Sequence, residues 1–190
     1  KEFRAIHNAV IQAALRLDRL TFEDRDMERH DEPDDALRDS KTCGQLWSVV
    51  CDDSLPLDLR DKGVERLRTQ AADGDPHAQL LVGRLYRDGP LVTPDWAEAR
   101  HWLEQAAQTL PDAQYALGKL LLTDDVEVHD LEQGIRWLTQ AAESKNEFAA
   151  YRLAKELLKD GNTADALPWL MASAEAGNAY AEYLLGKLFW

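Results

Sequence analysis

From residue 57 onward, apolar residues return every three or four positions with polar residues between them. The chain therefore reads as a succession of amphipathic helices with almost no strand alternation. The pattern is itself repeated. Trp102-Leu103-Glu104-Gln105-Ala106-Ala107 returns 35 positions later as Trp137-Leu138-Thr139-Gln140-Ala141-Ala142. Leu67-Arg68-Thr69-Gln70-Ala71-Ala72 lies 35 positions before the first copy, with Leu for Trp, and Trp169-Leu170-Met171-Ala172-Ser173-Ala174 lies 32 after the second. A different block alternates with these: Ala78–Leu85, Ala113–Leu120, Ala149–Glu156 and Ala181–Leu188. Two helical blocks in strict alternation are the signature of a helix-pair repeat.

The block starting at Ala78 predicts an A helix at 76–87, 111–122, 147–159 and 178–189. The tryptophan block predicts a B helix at 57–73, 95–109, 129–143 and 163–176. Pro76 and Pro111 stand where a first helical turn tolerates a missing N–H. Thr93-Pro94-Asp95 and His129-Asp130 supply start signals, and Gly74 and Gly177 supply stops between B and the next A. Pro168 falls inside the last B helix and is expected to kink it or shift its start. Residues 43–52 read as a degenerate A helix paired with the B helix at 57–73.

Glycine inside a helix costs about 1 kcal/mol relative to alanine, so Gly83, Gly118 and Gly186 call for a compensating contact. The expected one is close approach of a neighbouring helix, with Ala154 in the same role and Trp102, Trp137 and Trp169 as the large residues opposite. Stacked pairs of this kind give an all-α fold, a right-handed alpha-alpha superhelix whose A helices line the concave side.

Ala78, Val82, Gly83, Tyr86, Gly89, Asp95, Ala99, Trp102, Ala106 and Ala107 carry a pattern that resembles the Sel1-like repeat, a relative of the tetratricopeptide repeat. The resemblance covers roughly 57–190 and fades in later copies, where Thr123-Asp124-Asp125-Val126 replaces the loop glycine. It implies an adaptor that binds protein or peptide partners, and it names none of them.

Composition narrows this further. A net charge of −13 is the wrong sign for general phosphate-backbone binding, so direct nucleic-acid binding is not expected. No apolar run is long enough to span a bilayer. Cys43 and Cys51, if helical, are separated by about 12 Å of rise, too far for a disulfide, and two thiols without a framework suggest a reducing, cytoplasmic setting. The chain opens without Met, so it is expected to be processed or to be a piece of something longer, with part of a larger bacterial protein as the leading reading.

Ahead of the repeats, residues 1–22 hold an amphipathic helix with Phe3, Ile6, Val10, Ala13, Leu17 and Leu20 along one seam. It could buttress the solenoid or serve as a dimerisation or docking helix. Phe3 to Ala14, with Leu20-Thr21-Phe22-Glu23-Asp24, is similar to a region preceding such repeats in mobilisation relaxases of gut Firmicutes. That resemblance implies an accessory C-terminal region recruiting partners at DNA processing, with the nicking domain elsewhere. Residues 23–41 form an acidic linker; within 23–39 there are nine acidic and three basic side chains. Asp24, Asp26, Glu28, His30, Asp31 and Glu32 lack the central Gly and closing Glu of a calcium loop, so no metal site is expected. The solenoid then occupies 42–190, its degenerate first repeat running to about 75.

The leading binding candidate is a ladder on the A helices. Arg84, Lys119, Lys155 and Lys187 share one repeat position, and Leu80, Tyr115, Tyr151 and Tyr183 precede them by four residues, on the same helix face. A concave Tyr/Lys stripe would suit an acidic, partly apolar peptide. His7, His30, His77, His101 and His129 share no helix-face spacing, and no catalytic triad, phosphate loop or cofactor motif stands out. Finally, Leu184, Leu185, Leu188, Phe189 and Trp190 are expected to expose an apolar end capable of weak self-association. The sequence thus predicts a non-enzymatic interaction scaffold.

Overall fold

The computed structural model describes residues 41–124 and 126–189. The predicted helix at 1–22, most of the linker at 23–41, the acidic cluster around His30, and Trp190 lie outside them. The regular structure of the described residues is helical throughout: α1 Lys41–Cys51, α2 Leu57–Ala72, α3 Pro76–Asp88, α4 Trp96–Ala106, α5 Pro111–Leu121, α6 Leu131–Glu143, α7 Glu147–Lys159, α8 Thr163–Glu175 and α9 Ala179–Phe189. Each lies within a few residues of its expected span. A helices are α1, α3, α5, α7 and α9; B helices are α2, α4, α6 and α8.

The boundaries have local causes. Asp75 caps α3 by accepting from the His77 and Ala78 amides at 2.8 and 3.1 Å, with Pro76 in the first turn. Asp95 accepts from the Glu98 amide at the head of α4, and Asn146 from the Ala149 amide at the head of α7. Helix α8 begins at Thr163 and runs through Pro168, so the proline does not shift its start. Three of the turns from B to A close alike, with six-residue bonds from Asp75, Asn146 and Asn178 amides to the Gln70, Ala141 and Ser173 carbonyls. The residue before each bond donor has positive φ: Gly74 at 94°, Gly177 at 97° and, without glycine's freedom, Lys145 at 67°.

The chain divides into two compact units, with the boundary between Gln140 and Ala141 inside α6. In the first, each helix packs on the next from α1 to α5, and the A helix α3 also touches the A helices α1 and α5. One cluster centres on Leu67, Leu81, Val82 and Leu85, another on Leu103, Leu117, Leu120 and Leu121, and Tyr86 packs against both. Each fully buried leucine contributes about 1.5–3 kcal/mol. In the second unit α8 packs on α7 and α9 around Tyr151, Ala154, Ala166, Leu170, Ala181 and Leu185. Ser173 ties α8 to the head of α7 by donating to the Glu147 carbonyl at 2.6 Å.

The interlock differs from expectation in its large partner. A Cβ on Gly83 would stand 2.7 Å from Leu103 Cγ, and one on Gly118 would stand 2.8 Å from Leu138 Cγ. The leucine after each tryptophan fills the notch, while Trp102, Trp137 and Trp169 are half-buried at cluster edges. The reason is the 100° step between adjacent helical residues, which lets only one of the pair face the crossing. Burial also shifts the first repeat by one position. Leu67 is fully buried as Leu103, Leu138 and Leu170 are, so it takes the leucine's place rather than the tryptophan's.

Candidate functional site

The A-helix ladder is the site to test first. Leu80, Tyr115 and Tyr151 are 1%, 3% and 4% exposed, so they belong to the core. The cause lies in the repeat itself. Each stands three residues before a crossing position (Gly83, Gly118, Ala154), and residues three apart share a helix face. Arg84 is buried as well, and Lys119 and Lys155 are half-buried. The pairing of cation with apolar body is real on α7, where Lys155 Nζ lies 5.8 Å from the centre of the Tyr151 ring. That ring also meets Tyr180 at 6.1 Å. At Tyr183 and Lys187, both members of the pair are exposed. The expected open tyrosine platform is therefore corrected at Tyr115 and Tyr151, which are set in the core with their lysines more accessible than the rings, while Tyr183 is exposed.

Gly186 is buried, as expected of a crossing residue. The C-terminal patch is smaller than expected. Leu185 is buried in the last cluster because it faces α8, whereas Leu188 and Phe189 remain 37% and 47% exposed.

Other features gave little warning in the sequence. Gly134 is the crossing partner of Gly118: a Cβ on Gly118 would meet the Gly134 carbonyl at 3.0 Å, and one on Gly134 the Gly118 carbonyl at 3.2 Å. Its signal was a glycine in a helix interior, at the repeat position Ala99 holds. Glu156, nearly buried, is held between Arg152 Nε at 3.2 Å and Lys159 Nζ at 3.0 Å. Burial works against the Arg68 charge, but hydrogen bonds to Glu65 and to the Tyr86 hydroxyl outweigh it and raise its pKa. Asp130 heads α6, accepting from the Gln133 amide at 3.0 Å and from its side chain at 2.7 Å. The amide bond foremost, then the side-chain bond, hold its carboxyl below the ordinary range despite an opposing desolvation.

An open recess of about 400 Å³ lies where the loops entering α4 and α6 meet, lined by Pro94, Asp95, Trp96, Val126 and Glu127. Among the described residues, no group of three or more His, Cys, Asp or Glu is placed to hold a metal ion. Among those residues, too, no helix is long and apolar enough to cross a membrane.

This architecture has known counterparts. Residues 76–108 and 111–146 each match the family model of the Sel1 repeat. Residues 76–146 carry two Sel1 repeats. The solved structure of a protective antigen present in uropathogenic Escherichia coli strains, described as displaying an SLR fold, is similar at 29% identity and a TM-score of 0.66. The match covers 77% of this chain and 33% of that one, so the chain spans about a third of the antigen's length. A Sel1 repeat protein from Oxalobacter formigenes is similar at 28% identity and a TM-score of 0.55, over 67% of this chain and 98% of that one. No curated protein matches the chain. Both Sel1 repeats identified this way begin at an A helix and take in the following B helix, so the A/B pair is the repeating unit.

Proposed function

We propose that this chain is a non-enzymatic protein–protein interaction module, an adaptor within a larger bacterial protein. The observation that carries the reading is how the Sel1 repeats use their side chains. The positions that define the repeat (Gly83 with Leu103, Gly118 with Leu138, Ala154 beside Leu170) are engaged in helix packing. What varies from repeat to repeat is the exposed polar surface, which is where a repeat scaffold acquires a partner.

The finer proposal concerns the A-helix cations. Acidic partner segments would be met by the lysines at this repeat position, Lys119 in the first unit and Lys155 and Lys187 in the second, with the buried Tyr115 and Tyr151 fixing the helices that carry Lys119 and Lys155. Capture of partners from bacterial lysate by the wild-type chain tests the reading, alongside the triple variant Lys119→Glu, Lys155→Glu and Lys187→Glu. A partner retained by the wild type and lost by a folded triple variant supports it. Identical capture by both removes these lysines from the site, and no reproducible partner refutes the interaction module.

A further inference from the structure

We propose that the recess between the entry loops of α4 and α6 is a docking site for a lysine or arginine side chain on a basic partner segment. This rests on the interaction reading and gives one partner its chemistry. Trp96 forms a wall of the recess and packs against the cluster containing Leu103 and Leu117, which fixes its ring. Asp95 and Glu127, both acidic, line the same recess. Pro94 and Val126 complete the lining with apolar surface.

That combination matches a long cationic side chain part by part. The aliphatic stem lies against Pro94 and Val126, the charged head meets the two carboxylates, and the indole attracts the cation through its negative face. Asp95 is held in place by the hydrogen bond from the Glu98 amide at 3.0 Å, and its charge offsets the positive end of α4. The surroundings have the same sign: Glu98 and Asp124 are exposed on the flanking elements, and Asp130 stays ionised at neutral pH. The arginines of α4 and α6 have acidic partners of their own, Arg100 on Glu104 and Arg136 on Glu132, and His129 on the loop entering α6 is bonded to the Thr123 carbonyl. Two acidic residues and a tryptophan lining one recess disfavour an anion and favour a cation. Trp96 and Val126 are far apart in sequence, and the stacking of successive repeats brings them to one recess.

The test is calorimetric titration of the full chain at low salt with a capped hexa-arginine peptide, and with hexa-glutamate for comparison. Wild type binds the basic peptide and not the acidic one. Glu127→Lys and Trp96→Leu each weaken binding by about fivefold, the size of one exposed ion pair or one cation–π contact. Glu175→Lys makes the same charge change at an exposed acid that does not line the recess and leaves affinity within about twofold, as expected of a surface charge outside the site. Circular dichroism shows that each variant is folded. Glu127 is exposed, so its variant carries the test even where Trp96→Leu loosens the core.

Equal weakening by Glu175→Lys, unchanged affinity in Glu127→Lys or in Trp96→Leu, or no binding by wild type would each overturn the proposal. The lysate capture described above keeps the two ideas separable. Partners captured without peptide binding leave the interaction module standing and remove the recess. An absence of partners removes the module whatever the peptide does.

Discussion

Gly118→Ala isolates the contact on which the repeat depends. In an unconstrained helix interior the change stabilises by about 1 kcal/mol, because alanine loses less backbone freedom. Here the new methyl stands 2.8 Å from Leu138 Cγ and 3.0 Å from both Leu138 Cδ2 and the Gly134 carbonyl oxygen. The carbonyl belongs to the α6 backbone, and Leu138 is fully buried, so neither yields without moving the helix. Overpacking of this kind costs about 1–3 kcal/mol, which outweighs the propensity gain in most of its range. The expected outcome is a net loss of about 1 kcal/mol, measured as a lower urea midpoint at unchanged slope by far-ultraviolet circular dichroism.

A double-mutant cycle assigns the cause. Leu138→Ala alone costs about 2–5 kcal/mol through the cavity it leaves. Combined with Gly118→Ala, part of that cavity is filled and most of the clash removed, so the pair is coupled by about 1 kcal/mol in the favourable direction. Gly74→Ala serves as the contrast. Its Cβ would meet nothing within 4 Å, but φ is +94°, so it loses stability through backbone strain and shows no coupling to Leu138. A Gly118→Ala chain more stable than wild type by the full propensity gain, or additive with Leu138→Ala, would refute the close-approach argument.

Two further outcomes follow from the same geometry. Lys145→Gly relieves the positive φ of 67° at the turn after α6, which Gly74 and Gly177 occupy in the equivalent turns, and raises stability by about 0.5–1 kcal/mol in urea unfolding; a loss of stability would show that the lysine side chain matters more than its backbone. Asp130 has a folded pKa below its unfolded value, so its contribution is present above the unfolded value and lost as pH falls through the folded one; Asp130→Asn keeps a capping oxygen but flattens that acid limb in a pH series of thermal unfolding, and an unchanged limb would assign it to other carboxylates.

Helix content, helix order and the A/B repeat were legible in the sequence because they rest on local rules. Apolar spacing, prolines in first turns, and glycines or Asn and Asp at turns are decided within a few residues, and a 35-residue recurrence multiplies the signal. Glycine in a helix likewise announced a close approach at Gly83 and Gly118. The sequence could not choose the partner in that approach. Trp102 and Leu103 are adjacent and both apolar, and only the rotation of α4 about its axis puts Leu103 into the notch and leaves Trp102 at the cluster edge. The ladder of cations raised the same difficulty. Spacing placed Tyr115 and Tyr151 on one helix face with Lys119 and Lys155, but that face is wide, and helix packing decided that its tyrosine side is core. The Trp96 recess needed tertiary structure altogether, since it joins two loops whose proximity comes from the stacking of one repeat on the next. Sequence periodicity fixes which residues share a helix face; the neighbouring helices decide how much of that face meets water.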